Sequence, residues 1–266
     1  MLKNLRTSFK MTNQVVHLLS NFSPISLTEM DSVKLMNRTD RKFSFHLSKL
    51  PELLELIKPF YRVLEIENNR VSKYKSLYFD TPNYNLYLDH HNGRLNRYKI
   101  RHRTYVESNL GFLEVKFKNN KGRTNKTRIK QQQHDDLTPT PTQDFLNNHQ
   151  PLNQLNLVPV IWVNYSRITL VNLQHGERLT IDIGLEFITT QNQAKYQNLV
   201  IAELKQDGKK QSPFFDAVKK LHLREGSISK YCMGIALTCK NVKSNNFKPA
   251  IHYLNHINNQ HVTTNN

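Results

Sequence analysis

Lys99-Ile100-Arg101-His102-Arg103 and Glu114-Val115-Lys116-Phe117-Lys118 are the two stretches that decide how this chain is read. Each alternates charged residues with other types. In a β-strand successive side chains point to opposite faces, so each stretch stacks its charges on one face. A row of cations at that spacing is costly to hold together unless an anion sits among them. The pattern therefore points to a polyanion, with phosphate as the first chemistry to consider.

The same alternation recurs outward from these two strands. Leu179, Ile181 and Ile183 oppose Arg178, Thr180 and Asp182; Ala202 and Leu204 oppose Glu203 and Lys205. Further strands are expected at Lys75–Phe79, Thr124–Lys130, Ile161–Leu173, Arg178–Phe187 and Leu199–Lys205, with the Tyr98–Val106 and Gly111–Phe117 strands forming a hairpin around Ser108-Asn109. Helices are fewer: one capped by Ser48 and running to about Phe60, with Pro51 in its first turn; one opened by Ser212-Pro213; one over Thr142–Asn148; and a short one before Pro24. Tyr78, Phe79 and Trp162 read as core, and Asp80 as a turn residue.

The chain has 266 residues, 38% of them hydrophobic, enough for one sizeable β-rich domain with covering helices. Lys and Arg number 38 against 21 acids, a formal net charge of +17, which suits an anionic partner. Two cysteines, Cys232 and Cys239, make neither a disulfide framework nor a zinc site, and a reducing cytoplasm fits. No apolar run approaches the roughly 20 residues that span a bilayer. The histidines lack metal-ligand spacing. The expected organisation is a partly helical N-terminal extension over residues 1–30, a domain over 31–240, and a polar, disordered tail over 241–266.

An open sheet with its charged face in water would explain the strands cheaply. Against that, the charged faces mix Lys and Arg with Glu and Asp in fixed order, and the helices can cover the apolar faces. The expectation is an α+β fold: a closed antiparallel β-barrel, or tunnel, with a charged, wet interior and helices packed on the outside.

In order along the chain stand Asp40-Arg41-Lys42-Phe43, Leu77–Pro82, Gly93-Arg94, Lys99–Arg103, Leu113–Lys116, Lys126-Thr127-Arg128, Asn164–Arg167, Arg178–Asp182, Ala202–Lys205 and Ser229–Gly234. This ordered set resembles the VTC-type polyphosphate polymerase domain of the triphosphate tunnel metalloenzymes, over about residues 35 to 237, in a form without added domains. The opening motif has Asp40 and Phe43 where the family usually has Glu and Tyr. The resemblance implies transfer of the ATP γ-phosphoryl group onto a growing polyphosphate chain, with Mn²⁺ or Mg²⁺. It implies catalytic cations Arg101, Arg103, Lys116, Arg167, Lys205 and Lys230. Lys42, Arg94, Lys99, Lys126, Arg128 and Arg178 would bind the nucleotide or phosphate chain. Glu203 matches the family's metal-site glutamate, with Glu114 as a second carboxylate. Implied partners are ATP and polyphosphate or triphosphate, with no nucleic acid, and with room for a membrane or other protein partner.

Other readings stay open. A structural ion pair would also account for Glu114/Lys116 and Glu203/Lys205. Lys118, Lys121 and Arg123 read as a solvated hairpin tip. A triphosphate hydrolase of the same fold, or a non-catalytic polyanion binder, would use many of the same residues.

Overall fold

The computed structural model describes residues 13–31, 38–208 and 211–260. Parts of the expected N-terminal extension and tail, residues 1–12 and 261–266, lie outside them. The strands are β1 (Pro24–Ile25), β2 (Arg38–His46), β3 (Arg62–Leu64), β4 (Ser72–Asp80), β5 (Arg97–Tyr105), β6 (Leu110–Lys118), β7 (Thr124–Lys130), β8 (Val158–Asn172), β9 (Glu177–Ile188), β10 (Gln193–Tyr196), β11 (Leu199–Asp207) and β12 (Arg224–Glu225). They form one sheet in the order β12-β2-β11-β9-β8-β4-β5-β6-β7, antiparallel along this path. The helices are α1 (residues 13–20), α2 (Leu27–Asp31), α3 (Leu50–Ile57), α4 (Asn85–His91), α5 (Thr140–Asn147), α6 (Pro213–Lys220), α7 (Lys230–Thr238) and α8 (Lys248–Asn259).

Register turns the sequence alternation into rows of charge. Glu203 lies between Lys42 and Thr180, and Lys205 between Asp40 and Arg178. Arg101 lies between Tyr78 and Glu114, which in turn faces Arg128. Lys99, Lys116 and Lys126 stand side by side across three strands. A flat sheet would put β2 and β6, six strand steps apart, at about 29 Å. Yet the charges of Lys42 and Glu203 bear on Lys116. The sheet is therefore rolled, with the charged rows on its concave side.

The expected closed barrel is corrected here. Among the described residues no pairing joins β7 to β2 or β12, so the sheet has two free edges. Closure would set the cations of β7 beside Lys42 in one rung, and like charges directly opposite are destabilising. On the other edge β12 is only two residues long.

The convex side carries the main core. Phe43, Phe45, Leu170, Leu179, Ile181, Ala202 and Leu204 pack under Val15 and Leu19 of α1, Leu53, Leu54 and Ile57 of α3, and Phe214 and Val218 of α6. Leu77, Ile100, Leu113 and Val115 continue that side beneath Leu146 of α5. Ser212 caps α6 as expected, its hydroxyl accepting from the Phe214 N–H at 3.2 Å. Ser48 does not cap α3; it sits in a tight turn, where His46 Nδ1 accepts its N–H at 3.1 Å.

Two expectations about helices change. Not all of them lie outside: α7 packs on the concave face at one end, where Tyr231 stacks on Tyr78 at 4.9 Å. The residues from Val242, read as a disordered tail, include α8, whose Leu254 and Ile257 are buried in the same cluster as Tyr231 and Met233. Their helical spacing was hidden among asparagines.

Gly234 sets how closely α7 approaches the sheet. A Cβ there would meet the Phe187 ring at 2.6 Å and Ile161 Cδ1 at 2.7 Å. Gly234→Ala is expected to cost about 1–3 kcal/mol through overpacking, measured as a lower urea midpoint at unchanged m-value.

Candidate functional site

Three carboxylates organise the concave face, and each is shared by two cations. Glu114, 2% exposed, accepts from Arg101 Nε at 2.7 Å on one oxygen and from Lys126 Nζ on the other. Asp182 accepts both Nε and Nη2 of Arg167, at 2.7 and 2.9 Å, and Lys230 Nζ at 2.6 Å. Glu203 lies 2.8 Å from Lys205 Nζ and 3.7 Å from Lys42 Nζ. Burial would push each carboxyl's pKa up, but the cations prevail. Arg101, Arg103 and Lys126 hold Glu114 at about 2. Lys205 and Lys42 hold Glu203 at about 2. Arg167 and Lys230 hold Asp182 well below the usual carboxylate range.

The lysine row behaves oppositely. Crowding by protein, together with Lys99 and Lys42, brings Lys116 down to about 8, although its side chain opens into the solvent of the cleft. Burial likewise brings Lys126 to about 8, against the pull of Glu114. Lys99 is lowered too, chiefly by burial, and donates to Ser229 Oγ at the start of α7 at 2.9 Å. Burial first, and neighbouring positive charge second, disfavour the ammonium forms of this row.

Aromatic rings separate the remaining cations. Tyr74 and Tyr165 stack at 5.3 Å, and the guanidinium carbons of Arg103 and Arg167 each lie 5.1 Å from the Tyr74 ring. Arg103 also donates to Tyr165 Oη at 2.9 Å, and Arg101 to Tyr78 Oη at 3.0 Å. Tyr78 is thus buried as expected, but its hydroxyl belongs to the charged face.

The structure gathers Lys42, Lys99, Arg101, Arg103, Glu114, Lys116, Lys126, Arg167, Glu203, Lys205 and Lys230 on this face. Of the three other expected residues, two stand apart and the third, Arg128, lies at the outer edge of this face. Arg94 follows α4 in a loop, its side chain 70% exposed beside Asp89. Arg178 donates to the Met30 carbonyl of α2 at 3.3 Å. Arg128 lies on edge strand β7, over the Phe112 ring at 4.6 Å. The list drawn from sequence omitted Asp182, Tyr74 and Tyr165. Asp182 carried a readable signal, since it shares the alternation of Arg178 and Thr180. Asp80 is no turn residue: fully buried, it accepts the N–H groups of Thr81, Leu86 and Tyr87 and the Tyr231 hydroxyl.

Among the described residues no group of three or more His, Cys, Asp or Glu side chains gathers to hold a metal. Both oxygens of Glu114 are engaged by cations, so it does not suit a metal ligand. Glu203 also has a lysine at each oxygen, but at 19% exposure, with Lys42 Nζ as far as 3.7 Å, it is the more open of the two and fits a hard cation that brings most of its other oxygen ligands with it.

This geometry defines a rolled antiparallel-sheet protein with a cationic inner face. The VTC domain model matches residues 37–239, and the chain belongs to the VTC domain family. The match nearly coincides with the stretch of about 35 to 237 that carries the motif resemblance. No curated protein matches significantly. Among solved structures, the PH1012 protein from Pyrococcus horikoshii OT3 is 10% identical, with TM-score 0.37, covering 70% of this chain and 92% of its own. A conserved hypothetical protein from Pyrococcus furiosus is 13% identical, with TM-score 0.37 and the same coverages. The Hippeastrum protein HpAC1, for which a dominant triphosphatase activity is described, is 13% identical, with TM-score 0.43, covering 76% of this chain and 98% of its own.

Because Lys116 and Lys126 titrate near pH 8 in the free protein, a bound polyanion should restore their protons. Tripolyphosphate binding at pH 8 is expected to take up protons, read as a difference in calorimetric heat between buffers of unlike ionisation enthalpy. Affinity should fall as pH rises through about 8. Without ligand the sign reverses for stability. The unfolded lysines hold protons that the folded ones have released, so these two groups favour folding increasingly between about pH 8 and about pH 10.5. A melting series across that window checks this.

Proposed function

We propose that this protein is a polyphosphate polymerase that transfers the γ-phosphoryl group of ATP to the end of a polyphosphate chain. The terminal oxygen of the chain attacks the γ-phosphorus, the bond from that phosphorus to the β–γ bridging oxygen breaks, and ADP leaves. The observation that carries this reading is the row Lys99, Lys116 and Lys126, which among the described residues has Glu114 as its one directly paired carboxylate. Membership of the VTC domain family supports it.

The transition state of phosphoryl transfer spreads negative charge over equatorial oxygens, so positioned cations supply most of the catalysis. Arg101 and Arg103 offer guanidinium groups on adjacent rungs of β5; Lys116 supplies a compact charge between them and Lys42. Lys205 stands on β11 beside Glu203, and Lys230, at the start of α7, reaches Asp182 of β9. Arg167, locked to Asp182, fixes Lys230 in place. Glu203 would hold Mn²⁺ or Mg²⁺ together with substrate phosphate oxygens, and the metal would draw charge from the transferring group.

A triphosphate hydrolase needs a group that orients and deprotonates water. Glu114 and Glu203, held at about 2, are weak bases at neutral pH, and Asp182 is tied to two cations. A chain-terminal phosphate is already ionised and needs no such base, which favours the polymerase.

Purified protein given ATP and Mn²⁺ is expected to form long polyphosphate, visible on a gel. Orthophosphate as sole product would make it a hydrolase. No turnover, with tight and steeply salt-dependent polyanion binding, would make it a binding protein. Lys116→Ala is expected to lower kcat by about 10²–10³. Glu203→Gln should weaken the metal dependence, seen as a higher Mn²⁺ concentration at half-maximal rate.

A further inference from the structure

We propose that Tyr231 and Asp80 form a positioning pair for the cationic face: their hydrogen bond sets the first turn of α7 and, through it, the reach of Lys230. Neither residue of the pair touches the ligand. This role rests on the polyanion reading above and adds what holds one of its cations in register with the sheet.

Three neighbouring residues at the start of α7 each reach a different strand. Ser229 caps the helix, and its hydroxyl oxygen accepts from Lys99 Nζ of β5 at 2.9 Å. Lys230 donates to Asp182 of β9 at 2.6 Å, with its ammonium 5.0 Å from the Tyr165 ring. Tyr231 donates to Asp80 of β4 and stacks on Tyr78, whose hydroxyl accepts from Arg101. Successive helical side chains point about 100° apart, so these contacts fix the roll and the height of the turn together. A shift of about 1 Å would carry the Lys230 contact out of hydrogen-bonding range.

Control runs from Asp80 to the helix. Asp80 is fully buried and already accepts three backbone N–H groups, from Thr81 at 2.7 Å and from Leu86 and Tyr87 at 2.8 Å each. Those donors belong to the end of β4 and the first turn of α4, so they hold the carboxylate without help from α7. Tyr231 depends on Asp80 in a way that Asp80 does not depend on Tyr231. Its side chain is buried, and among the described residues Asp80 is the one hydrogen-bond partner of its hydroxyl. A buried hydroxyl left without its acceptor is costly, so the turn settles where Asp80 dictates. Further along, α7 is held by apolar packing, with Gly234 against Phe187 and Ile161. Such contacts are non-directional; they set how close the helix lies, not where an ammonium at its start points.

Tyr231→Phe deletes the hydroxyl and keeps the ring against Tyr78 and Tyr87, so the near-ultraviolet circular dichroism spectrum should match that of the wild type. The Kd for tripolyphosphate is measured by calorimetry in the wild type, Tyr231→Phe, Lys230→Ala and the double variant. Each single variant is expected to weaken binding about tenfold, and the double variant to be at most about threefold weaker than Lys230→Ala alone, because both act through one ammonium. Asp80→Asn attacks the same bond from its other side and is carried through the same cycle, so that if one variant fails to fold the other decides. A lower melting temperature with an unchanged Kd makes the pair structural only and overturns the positioning role. A larger loss in the double variant reveals a route other than Lys230 and overturns it too. If the wild type does not bind tripolyphosphate, the polyanion reading itself fails and the inference with it.

Discussion

Six cations of the concave face are held in place by the rule that one carboxylate serves two of them. Glu114 joins Arg101 to Lys126, Asp182 joins Arg167 to Lys230, and Glu203 joins Lys42 to Lys205. A one-to-one pairing would leave the face neutral and without use for an anion. No pairing would leave like charges on adjacent strands repelling at about 5 Å. Two to one keeps the face folded and keeps a surplus of positive charge. Lys99, Lys116 and Arg103 add to that surplus, with tyrosine rings and hydroxyls filling the space around Arg103.

The arrangement also explains why the sheet rolls. An apolar convex side of Leu, Ile, Val and Phe residues is buried under α1, α3, α5 and α6, while the concave side must stay wet for its lysines. The two requirements meet in a curved sheet with helices outside. Where water is not needed, at the end filled by α7 and α8, the concave side reverts to apolar packing. The two kinds of surface follow one another along β8. Ile161 and Val163 belong to the filled end, Tyr165 marks the boundary, and Arg167 opens the charged region.

Much of this was legible in the sequence because alternation is a local property. β5, β6, β7, β9 and β11 were expected at nearly their observed bounds, and with them the faces on which Arg101, Glu114, Lys116, Glu203 and Lys205 lie. What was not legible depends on distant pairings. Nothing local states whether β7 meets β2, so closure was expected and is absent. Tyr78 looked like core because its ring is core; only the facing Arg101 gives its hydroxyl a role. Arg178 shares the alternation of its neighbours, yet its side chain turns to α2, a choice made by tertiary packing. α8 was concealed because its apolar residues are spaced among polar ones, and the helix is stabilised by what it covers rather than by its own composition.

The lysine row has a further consequence, for the order in which the chain folds. β5, β6 and β7 are joined by short turns, so their pairings are local and can form early. Asp182 and Glu203 lie on β9 and β11, and Glu203 meets Lys42 only when β2, early in the chain, has paired with β11, about 160 residues later. In between, Lys99, Lys116 and Lys126 stand side by side with Glu114 as the one anion among them. That interval is where the chain repels itself most, and where dissolved salt relieves it most. A polyvalent anion present during synthesis would bridge the same gap, so a ligand of the kind proposed for this face would also serve as a template for its assembly.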